Sequence, residues 1–106
     1  MAETDDPNEG PISTLVEWQA PSLTPAEART LAEQTIERIG HFPGFLEGRF
    51  FGDFQLGTHY YLLTWQDRAA LDAYAASERM TGVRELAAPF VEGRPTRKIL
   101  TDYSVR

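Results

Sequence analysis

The chain is predicted to be an α+β domain of the ferredoxin-like, split β-α-β type, and three observations carry that expectation. A strong helix start signal stands at Thr24. Two strand-like runs, 45–53 and 58–65, are joined by a short connection containing Gly57. The whole order then reads strand, helix, strand, strand, helix, strand, the pattern of an antiparallel sheet with helices on one side. With 106 residues and 42% hydrophobic content, the chain suits one compact domain and no more.

Each element has a local reason. Residues 1–11 are charged and turn-rich with no apolar period, so they read as a loose tail before a single domain over 12–106. Ile12, Leu15, Val16 and Trp18 make 12–19 the first strand. Thr24 can cap, Pro25 suits the first helical position, and Glu27 completes a Thr-x-x-Glu capping box. Ala28, Leu31, Ala32, Ile36 and Ile39 recur at helical spacing, and Gly40 supplies a stop. His41-Phe42-Pro43-Gly44 is a turn into the hairpin. Asp67 can cap a second helix with Ala70, Leu71 and Tyr74 on one face. A shorter helical stretch over 80–88 carries Val83, Leu86 and Ala87 and ends at Pro89, and 96–103 reads as the last strand.

Composition excludes several classes. Ten Lys+Arg against sixteen Asp+Glu give a net charge of −6, and no basic stripe for nucleic acid is present. The absence of Cys removes disulfides, thiolate catalysis and Cys-based metal sites. No apolar run approaches the roughly 20 residues of a membrane span, and the acidic start is unlike a signal peptide, so a cytoplasmic protein is expected. The two histidines, His41 and His59, lie on different elements, so no metal site is expected. Hydrolase elbows, phosphate loops and dinucleotide fingerprints are also missing.

The strand 58–65 carries His59, Tyr61, Leu63 and Trp65 on one face and Tyr60 and Leu62 on the other. A sheet covered on one side should be polar on the other. Bulky groups on both faces therefore point to a homodimer packed sheet against sheet. Towards the helices, His59, Tyr61 and Trp65 would meet Tyr74 and Arg84, with Phe51 or Phe50 as a further wall, in a cleft suited to a flat aromatic ligand. Each residue also has a plainer role. Trp65 can be a core plug, Tyr61 a buried phenol with one partner, His59 a satisfied imidazole, Tyr74 core, and Arg84 a solvated cation beside Glu85.

Pro43-Gly44-Phe45-Leu46, a hairpin, and then Tyr61-Leu62-Leu63-Thr64-Trp65-Gln66-Asp67 running into Ala69-Ala70-Leu71 resemble, in that order, the antibiotic biosynthesis monooxygenase family. The likeness covers nearly all of 12–103. Within the family the chain is similar to the small quinone-forming monooxygenases of aromatic polyketide pathways. The resemblance implies a dimeric α+β barrel and oxidation of a phenolic or anthrone-type polycycle by molecular oxygen as co-substrate, with no metal or organic cofactor. It also implies a cleft Trp at Trp65 and a substrate-facing Arg at Arg84. In such a cleft His59 or Tyr61 is the candidate to move a proton, and Phe51, Leu63, Leu71 and Tyr74 are expected around the substrate. The family's strand Asn falls at Tyr61 and its helical Tyr at Leu71. The Asn and His of a haem-degrading branch are not found. A polyketide cyclase or isomerase, and a non-catalytic aromatic-ligand-binding domain, are the competing expectations.

Overall fold

A computed structural model describes residues 10–103. Most of the expected tail lies outside them. The order is β1 (Ile12–Gln19), α1 (Pro25–Ile39), β2 (Phe45–Asp53), β3 (Thr58–Trp65), α2 (Arg68–Ala75), α3 (Glu78–Ala87) and β4 (Glu92–Thr101). The four strands form one antiparallel sheet in the order β2-β3-β1-β4, the ferredoxin-like arrangement. Among the described residues, no helix is long and apolar enough to cross a membrane.

Local chemistry sets the helix starts. Thr24 Oγ1 accepts from the Glu27 amide while the Glu27 carboxylate accepts from the Thr24 amide, so the capping box at α1 is complete. At α2, the Asp67 side chain accepts from the Ala70 amide. α1 ends at Gly40, as expected. Gly40 stays right-handed (φ −59°), and the turn is made by Phe42 bonding back to Ile39 and by Phe45 bonding back to Phe42. The second helical region is two helices, broken at Ala76-Ser77, where Ser77 Oγ donates back to the Tyr74 carbonyl. The last strand begins at Glu92, earlier than predicted, because Glu92 pairs with Gln19 across an irregularity that local pattern does not reveal.

Helices cover one face of the sheet. Ile12, Ile39, Leu63, Trp65, Leu71 and Tyr74 form the larger core cluster, and Trp18, Ala20, Leu23 and Leu31 a second. The end of the Ile36 side chain on α1 packs over Gly48 of β2. A Cβ there would stand 2.7 Å from Ile36 Cδ1, closer than packed carbons tolerate. The edge strand β4 is exposed at every position from Glu92 to Thr101. It therefore borders open space on the helix side, and that gap is the entrance to the cleft described next.

Candidate active site

β1, β3 and β4 supply the floor of a cleft and α2 and α3 its roof; the cleft measures about 570 Å³. That size accommodates a substituted polycyclic aromatic. On the sheet side, Thr14, Val16 and Trp18 alternate along β1 beside Tyr61 and Leu63 of β3. Leu71 and Tyr74 from α2, and Met80, Val83 and Arg84 from α3, close it from above. Trp18 and Tyr61 meet edge to face at 5.4 Å, giving one wall a rigid aromatic corner.

The structure gathers five of the eight residues expected from sequence around this cleft: Tyr61, Leu63, Leu71, Tyr74 and Arg84. The other three lie elsewhere. Trp65 is fully buried beneath the cleft, stacked at 4.7 Å on Tyr74 and packed edge-on against Phe42 and Phe45. It supports the site from behind, packed in one cluster with Leu63, Leu71, Tyr74 and Val83 of the cleft lining. Phe51 sits on the opposite face of the sheet under the Arg49 guanidinium. The reason is a bulge at Leu46. Phe45 faces the core opposite Trp65, but Glu47 already opposes Thr64, so inward parity passes to Gly48, Phe50 and Gly52. Phe50, not Phe51, meets Tyr61, at 4.8 Å.

His59 faces inward but lies outside the cleft, in a separate hollow of about 430 Å³ that it shares with Trp18, Phe54 and the start of α1. The Trp18 and Tyr61 rings border both spaces. Burial lowers the His59 pKa below its ordinary value, against opposing contributions from the Ala20 backbone and Asp53. The imidazole is therefore neutral at pH 7. An unfolded His takes up its proton near 6.5 while the folded one resists, so this contribution to stability is complete above about pH 6.5 and is lost as the pH falls below it. His59→Phe is expected to flatten the decline in urea midpoint between pH 7 and pH 5. An unchanged slope would show that other groups set the acid limit.

Electrostatics favour proton donors over bases inside the cleft. Burial pushes Tyr61 up to about 12 against a hydrogen bond with Thr35, and pushes Tyr74 up to about 12 against the nearby charge of Arg84. Both phenols are neutral at any working pH. Although the chain carries a net charge of −6, no acidic side chain lines the cleft, while Arg84, Arg94 and Arg97 do. Sequence reasoning passed over Trp18, Arg94 and Arg97. Trp18 had a usable signal, since it lies in phase with the inward Ile12, Thr14 and Val16. Among the described residues, no group of three or more His, Cys, Asp or Glu side chains is placed to hold a metal ion.

No family model and no curated protein sequence matches the chain. Solved structures do. The chain is similar to ActVA-Orf6 of Streptomyces coelicolor, a monooxygenase solved with nanaomycin D, at 22% identity over 99% of this chain and 97% of that one, with a TM-score of 0.72. It is similar to SnoaB of Streptomyces nogalater, a cofactor-independent oxygenase, at 12% identity over 91% and 96%, with a TM-score of 0.74. An antibiotic biosynthesis monooxygenase superposes with a TM-score of 0.66 at 21% identity, over 88% of this chain and 99% of that chain. The expected ferredoxin-like α+β fold of the subunit is thereby met, and the chain has the fold of the antibiotic biosynthesis monooxygenases.

Proposed function

We propose that the cleft oxidises a phenolic or anthrone-type polycycle with molecular oxygen, without a metal or an organic cofactor. The observation that carries this reading is an apolar, aromatic-walled cleft lined by both Arg84 and Tyr74, with no acidic side chain in its lining. The fold shared with SnoaB, a cofactor-independent oxygenase, supports it. A flat ring slides between the Trp18–Tyr61 corner and α3, where Arg84 stands at the mouth of the cleft. That charge favours the ring's phenolate or enolate, and the released proton leaves to water at the cleft mouth. The anionic ring is its own reductant. It passes one electron to oxygen, the radical pair joins as a carbon-bound peroxide, and the peroxide takes up a proton. Loss of water breaks the O–O bond and leaves the carbonyl of a quinone, so an anthrone methylene and one O2 become a carbonyl and one H2O. Tyr74, protonated throughout, donates to the developing oxyanion. Trp65 acts as a positioning residue, holding Tyr74 from below.

Oxygen consumption by the purified protein with a panel of anthrones and naphthols, with products followed by mass, tests the reading. Uptake of one O2 per quinone formed is the expected result. A changed product without uptake would assign a cyclase or isomerase to the same cleft, and tight binding without turnover would assign a ligand-binding role.

We also infer a homodimer. The uncovered face of the sheet carries half-buried Leu15, Tyr60 and Leu62 between exposed Phe51 and Leu100. A second copy packed there would remove that apolar surface from water. Sedimentation at twice the chain mass, reduced to one chain mass by Leu62→Asp, is expected; a monomeric wild type overturns the inference.

A further inference from the structure

The cleft and the hollow beside His59 lie on the same face of the sheet, and their linings share two residues, Trp18 and Tyr61. The rest of the lining is divided. α2, α3 and β4 serve the cleft, whereas α1 and β2 serve the hollow. Strand pairing puts the two shared rings side by side, since Val16 opposes Tyr61 and Trp18 opposes His59. Their edge-to-face contact at 5.4 Å closes the line between the two spaces. Tyr61 is fixed there by three further contacts or supports. Phe50 packs edge-on against its ring from β2 at 4.8 Å. Its hydroxyl bonds with Thr35 of α1, which is fully buried and donates its own proton to the Leu31 carbonyl at 2.8 Å. Trp18, buried behind it, leans on the His59 ring at 5.2 Å. A ring held on both sides and at its tip is a wall and not a swinging gate.

We propose that Tyr61, backed by Trp18, is a partition whose ring ends the cleft on the α1 side and limits how many fused rings a ligand can bury. The inference rests on the reading of the cleft as an aromatic-substrate site and adds the residue that sets its depth. Affinity for an apolar ring grows with the area removed from water, so each ring that finds room adds to binding. A further ring stopped at Tyr61 stays in water at the cleft mouth and adds nothing. Beyond the partition lies the hollow of about 430 Å³, with His59 in its lining. Removing the Tyr61 ring joins the two spaces along the sheet and brings His59 within reach of a long ligand. Tyr61 thus acts through the volume of its ring, while its hydroxyl is engaged with α1.

The test titrates monohydroxylated naphthoquinone, anthraquinone and tetracenequinone, a ladder of two, three and four fused rings, by quenching of tryptophan fluorescence. In the wild type, affinity is expected to rise from two rings to three and to stay level from three to four. Tyr61→Val keeps a strand former and removes the ring, and it is expected to bind the four-ring ligand about tenfold more tightly than the three-ring one. Tyr61→Phe keeps the ring without the hydroxyl and retains the wild-type ladder. In Tyr61→Val alone, the four-ring ligand also shifts the imidazole resonance of His59, identified by its loss in His59→Phe. A general loosening of the fold would not produce that contact. Should Tyr61→Val fail to fold, Tyr61→Leu carries the same test with a smaller opening. A wild-type affinity that rises again from three rings to four overturns the proposal and leaves the aromatic-site reading intact. An unmoved ladder in folded Tyr61→Val, or a gain in Tyr61→Phe equal to that in Tyr61→Val, also overturns it. Binding of none of the three ligands overturns it together with the aromatic-site reading. If oxygen uptake fails while the ladder and its change persist, the oxygenase reading falls and the partition stands.

Discussion

Arg84→Gln is expected to lower the rate of oxygen uptake on the order of 10²-fold, the scale of removing one preorganised charge from a developing oxyanion. Glutamine keeps length and hydrogen-bonding capacity, so the loss reports the charge. Arg84 is exposed at the cleft mouth, where water screens it, which places the expected loss at the low end of that range. The sign of the accompanying pH change is fixed by the same argument. In the wild type, Tyr61 and Tyr74 titrate at about 12 and His59 stands in a different hollow. The rise of turnover with pH therefore follows ionisation of the substrate's own hydroxyl. Without Arg84 that ionisation shifts upward, so the variant regains part of its rate at higher pH. An unchanged rate with an unchanged profile would remove Arg84 from the chemistry.

Trp65→Ala is expected to cost about 3–5 kcal/mol of folding stability, read from urea unfolding. The indole is fully buried, with rings of Phe42, Phe45 and Tyr74 against it at 6.0, 5.2 and 4.7 Å. Alanine leaves a cavity that four surrounding elements cannot close at once. A domain of this size has about 5–15 kcal/mol in all, so the variant lies close to the threshold of folding. Trp65→Phe is the informative companion. Trp65 Nε1 has no hydrogen-bond partner among the described residues, and an orphaned buried donor itself costs about 1–3 kcal/mol. Phenylalanine keeps part of the ring packing and removes that donor, so its loss should be well below that of alanine. Equal losses for both would show that ring volume at this position does not carry the stability.

What could be read from the sequence was whatever depends on neighbours along the chain. The Thr24–Glu27 box and the Asp67 cap are written within four residues, and the inward alternation of β3 follows from its own pattern. What escaped depends on pairing across strands. Phe50 and Phe51 are adjacent and chemically equivalent, and only the extra residue at Leu46 decides which one faces Tyr61. The same holds for Arg94 and Arg97, which both line the cleft from a strand whose pairing with β1 is irregular between Glu17 and Gln19. His59 points in the expected direction but lies on the far side of the Trp18–Tyr61 corner, a separation set by how α1 and α3 divide one sheet face between them.

The order β2-β3-β1-β4 also constrains the path of folding. β2 and β3 are joined by a tight turn and can zip locally, whereas β1 must wait for its outer neighbour. Ile12 opposes Thr101, and Glu17 opposes Thr96. Loop closure over nearly the whole domain is slow compared with hairpin formation. During synthesis a helix-covered, three-stranded intermediate should therefore come first, with one side of β1 unpaired and the cleft missing its strand wall. The cleft is lined by residues of β1, β3, β4 and the helices together, so it is the last feature the folding chain acquires.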